Sequence, residues 1–297
     1  MKFGQVPDPA SIDFSFPPTP AATIALLNKH MQKKPMEIYV GGAKWNRLDL
    51  KGFFPRGTKD ELSYYATQFN SIELNATFYK TPSKSQVEQW KDKTPAGFKF
   101  FPKIPMSISH YSRLLNSAQK LEEFIDAVAL FEEKLGMCFL QLIDNYKPKD
   151  FNRLADFLSL VPKGFPFAVE VRNKEWFEPE IATRYYQLLE ELQISNIIVD
   201  TPGRRDMMHM RLTTPTAFIR FVGSNHPVDY HRLDEWVQRL KQWQEEGLQQ
   251  LYFFVHQQME VDTPLLAAYF IEKLNAALGN DLSIPRKPEP LKKAIKQ

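Results

Sequence analysis

Ionisable or amide side chains stand where most of the β-rich runs of this sequence end. Glu73 and Asn75 close Ser71–Asn75, Lys103 closes Phe98–Lys103, and Gln141 lies near the end of Met137–Leu142. Glu170 and Arg172 end Phe165–Arg172, Asp200 ends Asn196–Asp200, Arg220 sits in Ala217–Val222, and His256 ends Gln250–His256. Side chains alternate along a strand, so Glu73 shares a face with Asn75, and Glu170 with Arg172. Two carboxylates can divide into acid and base if a dry site separates their pKa values. Lys103, Arg172 and Arg220 can hold a phosphate or carboxylate, the arginines through a bidentate fork. Lys103 is also a candidate Schiff-base amine. The competing reading is that these charges neutralise one another as a buried network.

Such residues must be gathered by elements, and the chain supplies them in alternation. The four β-rich runs Glu37–Gly41, Ser71–Asn75, Phe98–Lys103 and Met137–Leu142 are followed by four more, through Gln250–His256, with helical patterns between. Thr58 with Glu61, and Ser83 with Gln86, read as capping boxes. Leu121, Phe124, Ile125, Val128 and Phe131 recur at helical spacing in Ser117–Leu135. The connection Thr201–Thr214 is the weakest helix of the series. Eight such units with no evident linker predict an α/β fold of the single (β/α)8 TIM barrel type. Barrel enzymes gather their sites at the C-terminal strand ends, where these polar residues fall. An open doubly wound sheet is the runner-up, but neither G-x-G-x-x-G nor G-x-x-x-x-G-K-[ST] occurs.

The predicted limits are an N-terminal extension over 1–35, the barrel over 36–280 and a C-terminal tail over 281–297. The extension is rich in Pro and aromatics, then reads as a short helix over Ala21–Met31 with Thr19 as cap and Pro20 first, a plug or cover for one barrel end. The tail, with Lys292, Lys293 and Lys296, reads as solvated.

Composition narrows the class. The 297 residues carry a formal charge of +3, from 38 basic and 35 acidic side chains, too balanced to argue for nucleic acid. No apolar stretch is long enough for a bilayer, and residues 1–18 lack a signal-peptide pattern, so a cytoplasmic protein without a membrane partner is expected. The single cysteine, Cys138, reads as a buried structural thiol and excludes an intrachain disulfide.

The segment Ser71-Ile72-Glu73-Leu74-Asn75-Ala76-Thr77-Phe78-Tyr79, followed by Pro82-Ser83, closely resembles the E-x-N-x-T-F-Y signature of the YecE-like family, a domain of unknown function. Gly52-Phe53-Phe54-Pro55, Phe98-Lys99-Phe100, Lys103-Ile104-Pro105, Glu170-Val171-Arg172 with Trp176-Phe177, and Ile219-Arg220-Phe221 match in order, over roughly Ile38 to Leu278. The resemblance implies a β/α barrel and no established reaction. The family's recurrent polar positions correspond to Glu73, Asn75, Lys103, His110, Glu170, Arg172, Asp200 and Arg220. The chain departs at Lys44, Val222 and His256, where the family usually has Gly, His and Asn.

Three functions are weighed. The first is an enzyme converting a small polar or anionic molecule, with Glu73, Glu170, Lys103 and Asp200 as catalytic candidates. Asn75, His110, Gln141, Arg172, Arg220, His256, Trp45 and Tyr79 would contact substrate, and the loop Gly223-Ser224-Asn225-His226 would lend N–H groups to a phosphate. No cofactor is predicted. The second is a metal-assisted hydrolase or isomerase, with Glu73, Glu170, Asp200 and His256 around a divalent ion. The third is a non-catalytic binding module, whose aromatics Trp45, Tyr79, Tyr111 and Trp176 would meet a partner.

Overall fold

Two periodicities alternate along the chain, and the structure, a computed structural model, describes residues 3–31 and 35–288. The strands are β1 (Glu37–Gly42), β2 (Ser71–Leu74), β3 (Lys99–Pro102), β4 (Cys138–Gln141), β5 (Phe167–Glu170), β6 (Ser195–Asp200), β7 (Thr216–Val222) and β8 (Gln250–His256). All pair in parallel, in the order β3-β2-β1-β8-β7-β6-β5-β4. Between β3 and β4 the ring closes through two parallel bridges, Phe100 with Leu135 and Lys103 with Phe139. This is the expected (β/α)8 barrel.

Strand parity decides what each residue meets. One set of alternate residues, including Phe101, Phe139, Ala168, Phe218, Tyr252 and Phe254, fills the lumen with edge-to-face rings. The opposite set, including Val40, Leu140, Val169, Ile198, Ile219 and Phe253, meets the helical layer. That layer is α1 (Ala21–Lys29), α2 (Glu61–Gln68), α3 (Ala76–Tyr79), α4 (Lys84–Asp92), α5 (Ala118–Ala129), α6 (Phe151–Ser159), α7 (Pro179–Glu191), α8 (Val228–Glu246) and α9 (Thr263–Leu278). Cys138 is buried and free, and burial pushes its thiol up. Among the described residues no helix is long and apolar enough to cross a membrane.

Several local expectations are corrected. Ser83 caps α4 as predicted, its Oγ accepting from Gln86 N at 3.3 Å. Thr58 does not cap α2: Asp60 does, accepting from Ser63 N at 2.8 Å, while Thr58 donates to the Pro55 carbonyl. The predicted helix over Ser117–Leu135 ends at Ala129. Thr19 does not cap α1, because its hydroxyl accepts the Trp243 indole N–H at 3.0 Å.

The weak sixth connection holds only a 3-10 turn, Arg205–Met207, among its described helical turns. The N-terminal extension lies against this connection and α8. Thr23 Oγ1 donates to Met210 O and accepts from Leu212 N, Phe16 meets Trp236 edge-on at 4.9 Å, and Arg239 donates to Pro17 O. At one end, Gln249, beside the start of β8, donates to His30 O. At the other, Phe3 reaches the C-terminal mouth, where it lies 3.8 Å from the Arg172 guanidinium. The extension is therefore an outer strap along the sixth unit, not a plug of one end. Lys292, Lys293 and Lys296 lie outside the described residues.

Candidate functional site

Eight of the predicted residues form one hydrogen-bonded network at the C-terminal mouth. Arg220, on the inward face of β7, grips Glu73 of β2 with both prongs, Nε to Oε2 at 2.8 Å and Nη2 to Oε1 at 2.9 Å. Its Nη1 donates to Glu170 Oε2 across the lumen at 2.5 Å. Glu73 also accepts from Asn75 Nδ2 at 2.8 Å and lies 2.9 Å from His256 Nε2. Glu170 accepts from Arg172 Nε at 2.5 Å. The Gln141 Oε1 receives Arg172 Nη2 at 2.8 Å and Lys103 Nζ at 3.0 Å. Two cations on one amide oxygen fix which end of the amide faces them.

Electrostatics divides the roles. Burial alone would raise both carboxyls, but Arg220 and His256 hold Glu73 well below the usual range, and Arg220 with Arg172 holds Glu170 down at about 2. Neither carboxyl therefore acquires the raised pKa expected of a general acid. Arg220, expected as an anion clamp, is buried and directs Nε, Nη1 and Nη2 to the same two carboxylates. Glu73, Arg220 and Glu170 thus pair with one another, two carboxylates to one buried guanidinium.

Lys103 differs. Among the described residues its ammonium forms no ion pair with a carboxylate; it meets Gln141 and lies 4.1 Å over the Phe78 ring. Burial, then the repulsion of Arg220, pulls it down to about 7, against an ordinary 10.5. Its backbone carbonyl accepts Thr77 Oγ1 at 2.7 Å, which ties the end of β3 to the turn after β2. His110 lies at the same rim, edge-on to Phe78 at 4.9 Å, with Nδ1 2.8 Å from Ser109 Oγ. It stands on a single wide turn, Ser107–Tyr111, followed by left-handed backbone at Arg113, Leu114 and Asn116. Burial, then Lys103 and Arg172, lowers its imidazole to about 4, so it is neutral near pH 7.

Above this floor opens a cleft of about 1000 Å³. Asn75, Lys103, His110, Gln141, Arg172 and Arg220 line its base, and Trp45 and Tyr79 its sides. Tyr79 is 73% exposed and Tyr111 77%, but Trp176, also expected at the surface, is buried, with its indole N–H on Tyr146 O. Sequence reasoning missed Phe78 as the ring beneath Lys103, although it lies within the motif that carries the family resemblance. It also missed Phe3 and Glu260, which lie on the cleft wall with no strand pattern to flag them.

Two expectations fail on geometry. Asp200 has the opposite parity on β6 and points out of the lumen. It accepts from Arg232 Nη2 at 2.7 Å and Trp236 Nε1 at 2.8 Å, both on α8, and from Arg205. The loop after β7 offers no vacant anion seat, because Asp229 of α8 fills it. Ser224 N and His226 N donate to Asp229, and Asn225 N donates to Gln257. The four donors proposed for a divalent ion are consequently not convergent: Asp200 is outside, and Glu73 and Glu170 are held by Arg220. Among the described residues no group of three His, Cys, Asp or Glu is placed to hold a metal.

Comparison with known proteins adds the family. Residues 39–291 match the family model described as "Protein of unknown function DUF72". UPF0759 protein YecE of Escherichia coli (strain K12) is 27% identical over 277 residues, covering 85% of this chain and 98% of that protein. UPF0759 protein YunF of Bacillus subtilis (strain 168) is 28% identical over 151 residues, 48% of this chain and 53% of that protein. The crystal structure of a DUF72 family protein from Thermotoga maritima MSB8 superposes with a TM-score of 0.62 at 26% identity, covering 80% of this chain and 99% of that one. One from Enterococcus faecalis V583 gives 0.65 at 19% identity, covering 86% and 99%.

Proposed function

The chain belongs to the DUF72 family of proteins of unknown function, and from the geometry of its barrel mouth we propose that it binds a small carboxylate- or phosphate-bearing molecule there, with Lys103 as the group that meets it. The observation that carries this reading is the excess of cation at the cleft floor. Among the described residues Arg220, Arg172 and Lys103 stand at the floor with Glu73 and Glu170, and of these three Lys103 alone forms no ion pair with a carboxylate. An incoming anion completes that balance at an ammonium already stripped of water, where the attraction is stronger than at the surface.

The same desolvation supports a chemical role. An amine at about 7 is divided between its two forms near neutrality, so it can take or give a proton on a bound substrate. Glu73, Arg220 and Glu170 then act as the rigid frame that keeps Lys103 and Arg172 in place. The neutral His110 and the Asn75 amide supply polar contacts beside it. A metal-assisted reaction is less well supported, since the carboxylate oxygens it would need are occupied by guanidinium.

The test has two arms. Thermal melting is measured with inorganic phosphate and a panel of phosphorylated and carboxylated metabolites, for wild type and Lys103→Met. A rise in wild type that the variant loses is expected, and no rise with any member of the panel defeats the anion site. Lys103 is then titrated by NMR after reductive ¹³C-methylation. A midpoint near 7 is expected, and one near 10 removes the proton-transfer role and leaves a binding module.

A further inference from the structure

The strap that covers the sixth unit ends inside the proposed site. Phe3 lines the cleft, and the centre of the Arg172 guanidinium lies over its ring at 3.8 Å, while Nε and Nη2 of that guanidinium are committed to Glu170 and Gln141. The seat below Phe3 is shaped for glycine on both sides. Gly4 adopts φ +70°, its carbonyl accepts Gly203 N at 2.9 Å, and a Cβ on it would fall 1.8 Å from Thr201 Oγ1. A Cβ on Gly203 would meet the Gly4 carbonyl at 2.9 Å. Further along, the Phe14 ring lies against the guanidiniums of Arg232, at 4.7 Å, and Arg205, at 5.1 Å, and its carbonyl accepts from Arg205. The strap is thus held at Gly4 and at Phe14, as it is at Phe16, Pro17 and Thr19, before it reaches α1. The family match begins at residue 39, so the strap lies outside the part of the chain that defines the family.

We propose that the strap is a built part of the ligand cleft and that Phe3 is a specificity-determining residue, which covers the Arg172 face and reserves the floor for compact anions. A guanidinium face is a natural platform for a flat ring. With Phe3 on it, a ligand ring finds that platform taken, and a compact anion loses nothing because it is met by Lys103. Which ligands Phe3 selects rests on the anion-site reading above, whereas the seat of the strap does not.

The experiment keeps the two apart. Full-length wild type, Phe3→Ala and Gly4→Val are treated with phenylglyoxal, and modification of Arg172 is timed by mass spectrometry against the exposed Arg56. Phe3→Ala removes the ring, and Gly4→Val lifts it without altering it. Both are expected to speed modification of Arg172 by about tenfold, the scale of a lost cation–π contact in a partly desolvated place. Rates within about twofold of wild type in both variants would overturn the seat of the strap, since twofold is under half a kcal/mol. Melting with inorganic phosphate and with phenyl phosphate then reads selectivity. Phe3→Ala is expected to gain response to phenyl phosphate and not to phosphate, and an unchanged ratio would overturn the role of Phe3. A wild type deaf to both probes, with faster Arg172 modification in the variants, defeats the anion site and leaves the strap standing.

Discussion

Two buried ionic clusters lie at the same end of this barrel, on opposite sides of its wall. Inside are Glu73, Glu170, Arg220, Arg172 and Lys103; outside, under the strap, are Asp200, Asp229, Arg232 and Arg205. The outer cluster pairs two carboxylates with two guanidiniums, and of the buried Arg232 only Nε lacks a partner among the described residues. Arg232 bridges Asp200 and Asp229 and also reaches the Asp200 and Val222 carbonyls, and Trp236 and loop N–H groups take further carboxylate oxygens. The inner cluster sets three basic groups against two carboxylates and opens onto a cleft. Ion pairing in itself therefore marks neither function nor structure; what separates the clusters is unspent charge facing open space.

The largest test of this contrast removes the inner keystone. Arg220→Met leaves two buried carboxylates without a shared cation and should cost about 3–5 kcal/mol in urea unfolding. Adding Glu73→Gln and Glu170→Gln should return part of that loss, whereas a single variant of unchanged stability would show that Arg220 is not the shared partner of the two carboxylates. Next, Asp200→Asn keeps its shape and removes the charge that burial would disfavour but Arg232 and Arg205 hold ionised. It should cost about 2 kcal/mol, as for a buried hydrogen bond to a charged group. The Lys103 midpoint should stay within about half a unit, and a larger displacement would join the two clusters into one. The last effect is in pH and is the smallest only when read per pH unit. Between about 7 and 10.5 the unfolded chain keeps a Lys103 proton that the fold has released. Raising pH through that window therefore stabilises the fold by at most about 1.4 kcal/mol per pH unit, and Lys103→Met should lack this rise in the difference between the two curves.

The sequence made the barrel legible because each strand is a short β-rich run between helical patterns, and β8 falls on its expected bounds, Gln250–His256. It also made the convergence of Glu73, Lys103, Glu170 and Arg220 legible, since strand ends in a parallel ring share one rim. Two things were not legible. Parity on β6 hung on one residue of register, and a one-place change turns Asp200 from lumen to helix. The partner that saturates Asp200, Arg232, is on α8, 32 positions away, with no local pattern to announce it. Likewise Gly223-Ser224-Asn225-His226 looks like an anion loop until Asp229, on the first turn of α8, is seen to close it from within.

The strap sets an order of events in synthesis. Its partners are remote in sequence: Thr23 meets Met210 across 187 positions, and Thr19 meets Trp243 across 224. The strap residues are made before their partners and therefore have no seat until most of the ring has been made, and Phe3, Phe14 and Phe16 stay uncovered meanwhile. Contacts of such separation form late and slowly. The cleft wall at Phe3 is accordingly one of the last features of this protein to mature.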